Sequence, residues 1–133
     1  MFTDDITVFL GAFPSNSKTK ELVIEALHRY DDVPPVVRRI WSDRGAEIIA
    51  ATKMVRTMRP LAQFTSIPYR HAPRAERTNR IAADGTRAAL IQGGMSEAWW
   101  AVALLHWVAM WNGFMVGKDG YTSYHRRHHE KMP

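Results

Sequence analysis

Pro68-Tyr-Arg-His-Ala-Pro-Arg-Ala-Glu-Arg-Thr-Asn-Arg80, followed by Ile81-Ala-Ala-Asp-Gly-Thr-Arg-Ala-Ala-Leu90, is the stretch on which the fold turns. It opens as a loop bracketed by Pro68 and Pro73 and becomes a helix over roughly Arg74 to Gln92, stopped by Gly93-Gly94. Glu76 falls in the first turn of that helix. Asn79 and Arg80 follow three and four residues on, so all three share one helical face. Arg70, Arg74, Arg77 and Arg87 surround them. A carboxylate within a basic surface at a helix start suits phosphate chemistry on nucleic acid. A solvated helix with an internal Glu76–Arg80 pair explains the same residues, since exposed i,i+4 pairs are common.

Upstream, Val36 to Trp41 is a strand candidate that ends in Ser42-Asp43-Arg44-Gly45. A helix over Ala46 to Met58 follows, with Ile48, Ala51, Val55 and Met58 on one side, and Pro60 cannot continue it. Phe64 to Ile67 is a short strand-like run. Nearer the start, Ile6 to Phe13 is rich in β-branched and aromatic residues and predicts a strand with no evident partner. Lys18 to Tyr30 has the helical period at Leu22, Val23, Ala26, Leu27 and Tyr30. Downstream, Gly85 is a weak point in the third helix, costing about 1 kcal/mol against alanine. Ser96 reads as the N-cap of a last long helix to about Phe114. Trp100, Leu104, Trp107 and Trp111 form one stripe there, read as a packing surface in preference to a base-stacking one. The alternation predicts an α/β layer with helices packed on a small sheet.

The 133 residues suggest a single domain over 1–133, with a basic tail over 118–133. There is no cysteine, which excludes disulfides, thiolate chemistry and cysteine-based zinc. The net charge is +5 and the excess is mostly arginine, favouring an anionic partner. No signal peptide is evident at Met-Phe-Thr-Asp-Asp. The apolar run from Ala98 to Met115 contains His106, Asn112 and Gly113 and reads as a core helix before a membrane span. His125, His128 and His129 could bind a transition metal; a solvated basic end explains them as well.

Asp43 closes a predicted strand beside a turn, the edge where α/β sheets usually bind ligands. Glu76 follows after 32 intervening residues. Convergent carboxylates of this kind suit magnesium or manganese, which prefer hard oxygen ligands and can activate a water or hydroxyl for phosphodiester transfer.

Trp41-Ser-Asp-Arg-Gly-Ala-Glu47, Thr65-Ser-Ile-Pro-Tyr69 and Ala75-Glu-Arg-Thr-Asn-Arg80 together resemble the integrase catalytic core of copia-type retrotransposons. Asp4-Asp5-Ile-Thr, Lys18, Thr86-Arg-Ala-Ala-Leu90, Ala98-Trp-Trp100, Asn112 and Gly117-Lys-Asp-Gly-Tyr-Thr-Ser-Tyr124 extend the resemblance in order across nearly the whole chain. It implies a ribonuclease-H-like fold and DNA cutting and joining with a D, D, E triad and divalent metal. It implies Asp43 as the second aspartate and Glu76 as the glutamate, both catalytic and both metal ligands. Arg74, Arg77, Asn79, Arg80 and Arg87 are the expected nucleic-acid-binding residues.

The sequence departs from the pattern in three places. The family's first catalytic aspartate has no counterpart, and Asp4 and Asp5 read as turn or strand-end carboxylates. The loop before Glu76 is Arg70-His-Ala-Pro-Arg74, shorter than the family's and without its Asn-Gly. The closing segment is Ser123-Tyr-His125. The expectation is therefore an incomplete integrase core, lacking the first strand and most of the second, and weak or inactive alone. A catalytically dead nucleic-acid-binding module using the basic helix faces is the alternative. A ribonuclease-H-like nuclease outside the integrases is disfavoured by the Ala75–Arg80 series. DNA is the expected partner, with self-association left open and no membrane involved. The expected setting is intracellular, nuclear if the chain acts on DNA.

Overall fold

The computed structural model describes residues 1–4, 6–31, 37–42, 45–65 and 73–133, with only the backbone of 64, 65, 73 and 74. In chain order the elements are β1 (Phe2–Thr3), β2 (Leu10–Gly11), α1 (Lys20–Tyr30), β3 (Arg39–Ser42), α2 (Ala46–Met58), β4 (Ala62–Thr65), α3 (Pro73–Gln92), α4 (Trp100–Phe114) and α5 (Ser123–His128). A single 3-10 turn, Glu97–Trp99, leads into α4. The chain forms two compact units, Ser15–Glu76 and Met1–Pro14 with Arg77–Pro133.

In the unit Ser15–Glu76, β3 and β4 pair in parallel from Arg39↔Ala62 to Ser42↔Thr65, and α2 is the crossover between them. A parallel pair requires such a crossover. Thr19 caps α1 by accepting the Leu22 N–H. Leu27 and Tyr30 of α1, Ala51, Thr52 and Val55 of α2, and Leu61 are buried. The Thr52 hydroxyl donates back to the Ile48 carbonyl at 2.7 Å, so burying it leaves no polar group unpaired. Asp31 and Arg59 follow α1 and α2, and their side chains form a largely buried ion pair. The Arg59 guanidinium also donates to the Val37 carbonyl at 2.6 Å, and the Val37 N–H donates to Asp31 at 3.0 Å. Helix α2 has the expected bounds, but Met58, expected on its inner side, is exposed. Strand β4 begins two residues before the predicted run.

In the unit Met1–Pro14 with Arg77–Pro133, β1 and β2 form an antiparallel hairpin, Phe2↔Gly11 and Thr3↔Leu10. Of the strand predicted over Ile6 to Phe13, only Leu10–Gly11 forms. The Asp4 carboxylate accepts the Ile6 N–H at 2.8 Å and the Thr7 N–H at 3.3 Å and turns the chain there. Val8 sits at φ 59°, a conformation uncommon for a β-branched residue. The partner not evident in the sequence is Phe2–Thr3.

Leu10, Ala12 and Val108 form the core of this unit, with Leu104, Trp107 and Trp111 packed against it. The tryptophan stripe is thus a packing face, except at Trp100, which is half exposed. Asn112, also on α4, acts in place of a third strand. Its Oδ1 accepts the Leu10 N–H at 2.9 Å and its Nδ2 donates to the Leu10 carbonyl at 2.8 Å. Helix α3 buries Ala82, Thr86 and Leu90. Gly85, the predicted weak point, is where the Trp107 indole meets α3; a Cβ there would overlap the ring. The helix ends with Gly94 at φ 60° and the Met95 N–H bonded to the Leu90 carbonyl, a left-handed stop that favours glycine.

The stretch read as a basic tail contains α5. Thr122 caps it by accepting the His125 N–H at 3.1 Å. The Arg127 side chain is only 4% exposed, pairs with Asp4 at 3.6 Å and lies 4.8 Å over the Phe9 ring. His128 meets the same ring edge-on, and His125 stacks on Tyr121. A solvated end therefore does not describe Arg127, because hairpin residues from the other end of the sequence cover it.

Candidate nucleic-acid interface

Helix α3 starts at Pro73, where a missing N–H costs nothing. Glu76 lies in the first turn, exposed, at the end of the helix whose dipole favours a negative charge. Glu76 closes the unit Ser15–Glu76. Asp43 itself lies outside the described residues, as does Arg44. Gly45 follows and precedes α2, its carbonyl accepting the Ile48 and Ile49 N–H groups.

Among the described residues, no group of three or more His, Cys, Asp or Glu is placed to hold a metal ion. Of the two expected ligands only Glu76 is described, and one carboxylate does not make a divalent-cation site. Of the tail histidines, His125 stacks on Tyr121 and His128 meets Phe9 edge-on.

Arg77, Asn79, Arg80 and Arg87 are all exposed on α3, and Arg74 is helical in backbone. The buried residues Ala82, Thr86 and Leu90 recur every four residues on the side opposite Arg77, while Asn79, seven residues before Thr86, lies above them on that same side. Arg80 and Arg87 are seven apart and therefore in one stripe. Asp84 lies in the same stripe and pairs with Arg87 at 3.3 Å, offsetting part of its charge. The result is a solvent-facing helix surface with a modest cationic excess, suited to phosphate contacts without base reading.

Two further features were not singled out from sequence. Along β3 the exposed positions are Arg39 and Trp41, alternating with half-buried Ile40 and Ser42. The strand period of two was the available signal. In the unit containing α5, an open groove of about 620 Å³ is lined by Ile6, Thr7, Asp119, Tyr121, His125, Arg126 and His129. Arg126 grips Asp119 with two bonds, at 2.9 and 2.5 Å. That hydrogen bonding holds the Asp119 carboxyl down at about 2. Among the described residues, no helix is long and apolar enough to cross a membrane.

No protein-family model matches the chain, and no curated protein matches it at a significant level. Solved structures do match. The HTLV-2 integrase catalytic core domain, in complex with magnesium and in trimeric form, aligns over 95% of this chain and 81% of its own, with a TM-score of 0.78 and 16% identity. The catalytic core domain of BIV integrase aligns over 93% of this chain and 80% of its own, with a TM-score of 0.67 and 20% identity. At such identities the likeness is one of fold. The chain has the mixed α/β, ribonuclease-H-like architecture of retroviral integrase cores.

Proposed function

We propose that this chain is an integrase-type catalytic core of copia-type retrotransposon origin, of the class that joins DNA strands with the help of a divalent metal. The observation that carries this reading is the fold likeness to integrase cores, with a TM-score of 0.78 across 95% of the chain. The ordered motifs from Trp41 to Arg80 supply the copia-type assignment. Asp43 and Glu76 would be the metal ligands, for magnesium or manganese. Such an ion, when bound, activates a water or hydroxyl and neutralises the departing oxygen. Arg74, Arg77, Asn79, Arg80 and Arg87 would hold the DNA backbone. The proposed partners are DNA and further copies of the chain. The sequence supplies two of the three acidic positions that the resemblance implies, so strand transfer by this chain alone is expected to be weak or absent, since losing one member of a catalytic unit removes most of the rate.

The second reading is a nucleic-acid-binding module without catalysis. It is favoured by the exposed Arg77, Arg80 and Arg87, which need no carboxylate partner to hold phosphate. Salt-titrated binding of duplex DNA, with and without magnesium, separates the two. A residual metal site requires magnesium to change the affinity of the parent and not of Glu76→Gln. Equal responses leave the binding module. Absence of DNA binding at low salt removes both readings. Magnesium-dependent strand transfer by the purified chain, lost in Asp43→Asn, would overturn the expected inactivity.

A further inference from the structure

We propose that the exposed face of β3 is a stacking platform for an unpaired DNA base, with Trp41 as the stacking ring and Arg39 as the neighbouring phosphate contact. The inference rests on the reading of the chain as DNA-acting, and it adds a strand preference that the basic face of α3 does not supply. Trp41 leaves 62% of its surface accessible. Single exposed apolar residues are ordinary on proteins. Here the surroundings give the indole a chemical partner. Arg39 is exposed two residues earlier on the same strand, so the cation and the ring share one face, roughly 7 Å apart along the chain. Ala62 pairs with Arg39 across the sheet and is itself exposed.

A flat aromatic face beside a guanidinium group fits a ligand that alternates π-surfaces with negative charge, which is single-stranded DNA. Paired bases in a duplex keep their faces stacked on one another and cannot use the indole. The platform also lies in the segment that carries a proposed metal ligand, since Asp43 follows Trp41 by two positions. An unpaired base held on Trp41 would therefore belong to the strand end presented to that segment. Arg39 and Trp41 lie on a paired strand, so the platform is set by the sheet and not by a loop.

The test compares a labelled oligothymidylate of roughly 12 nucleotides, within the site sizes of single-strand binders, with a duplex of the same length. The full chain is used as parent, Trp41→Ala, Trp41→Phe and Arg39→Gln. Trp41→Ala should weaken oligothymidylate binding roughly 5- to 150-fold while duplex affinity stays within about 2-fold. Trp41→Phe keeps a ring and should restore most of the loss. Arg39→Gln should lower the salt slope on the single strand by about 0.7. Far-ultraviolet circular dichroism of each variant checks that this exposed position has not altered the fold. If Trp41→Ala binds oligothymidylate like the parent, or loses single strand and duplex equally, the platform is wrong while the DNA-acting reading survives. If the parent binds neither probe at low salt, both fall.

Discussion

Replacing Asn112 with leucine keeps the heavy-atom count and branching of the side chain and removes both of its hydrogen bonds. In the native chain the Asn112 amide closes a two-bond ring with Leu10, accepting its N–H at 2.9 Å and donating to its carbonyl at 2.8 Å. Leu10 is 1% exposed and Asn112 is 4% exposed, so water cannot take over either bond. Asn112→Leu leaves two backbone groups buried and unpaired, at about 1–3 kcal/mol each. The added apolar burial offsets up to about 1.5 kcal/mol. The net loss is then about 0.5–6 kcal/mol, set against the roughly 5–15 kcal/mol by which domains of this size are stable. Asn112→Asp retains an acceptor for the Leu10 N–H but loses the donor and buries a charge, and it should cost at least as much. Urea unfolding followed by tryptophan fluorescence measures the global change. Exchange of the Leu10 amide with solvent deuterium measures the local one. If Asn112→Leu unfolds within about 0.5 kcal/mol of the parent, the range of an inconsequential surface change, and the Leu10 amide stays as protected, the amide is not acting as a strand.

Arg59→Met removes the guanidinium that pairs with the buried Asp31 carboxylate and should destabilise the chain by about 3–5 kcal/mol; adding Asp31→Asn should recover part of the loss in thermal unfolding. Gly85→Ala improves helix propensity by about 1 kcal/mol but sets a Cβ against the Trp107 ring; a fall in melting temperature is expected, and a rise would show that α3 and α4 are not packed as described. Asp119 has a folded pKa depressed from 3.8 to about 2 by its bonds to Arg126, so the contact's contribution is present above pH 3.8 and is lost as the pH falls through about 2. A carbon-13 titration of the Asp119 carboxyl should show its midpoint there, and Arg126→Gln should return it toward 3.8.

The parts of the fold that were readable from sequence are those fixed by local chemistry. Helix α2 could be bounded from Gly45, Pro60 and the period between them, because a helix makes its own hydrogen bonds. The ends of α1 and α3 came within two residues for the same reason. The N-terminal strand misled because side-chain chemistry overrode propensity: the Asp4 carboxylate takes two backbone N–H groups and bends a run whose β-branched residues argued for extension. Arg127 misled for a different reason. A basic residue near the end of a polar segment has no local sign of burial, and the groups that bury it, Phe9 and Asp4, lie more than a hundred residues away. Of the candidate site, the residues named from sequence on α3, Arg77, Asn79, Arg80 and Arg87, are exposed. Trp41 was passed over, since a tryptophan in a short strand predicts core packing as readily as exposure. Asp43 and Arg44 are outside the described residues, so the pairing of Asp43 with Glu76 rests on the order of motifs.

The bond between Leu10 and Asn112 also has a bearing on how the chain acquires its fold during synthesis. The two residues are 102 positions apart, so at roughly 5–20 residues per second the outer edge of β2 waits on the order of 5–20 s for its partner to leave the ribosome. The unit Ser15–Glu76 lies entirely within that interval and is continuous in sequence. It can collapse while the hairpin before it is still unsatisfied. The nascent protein therefore carries an open backbone edge at β2 until α4 emerges, the period in which chaperone capture or pairing with another nascent chain would compete with α4.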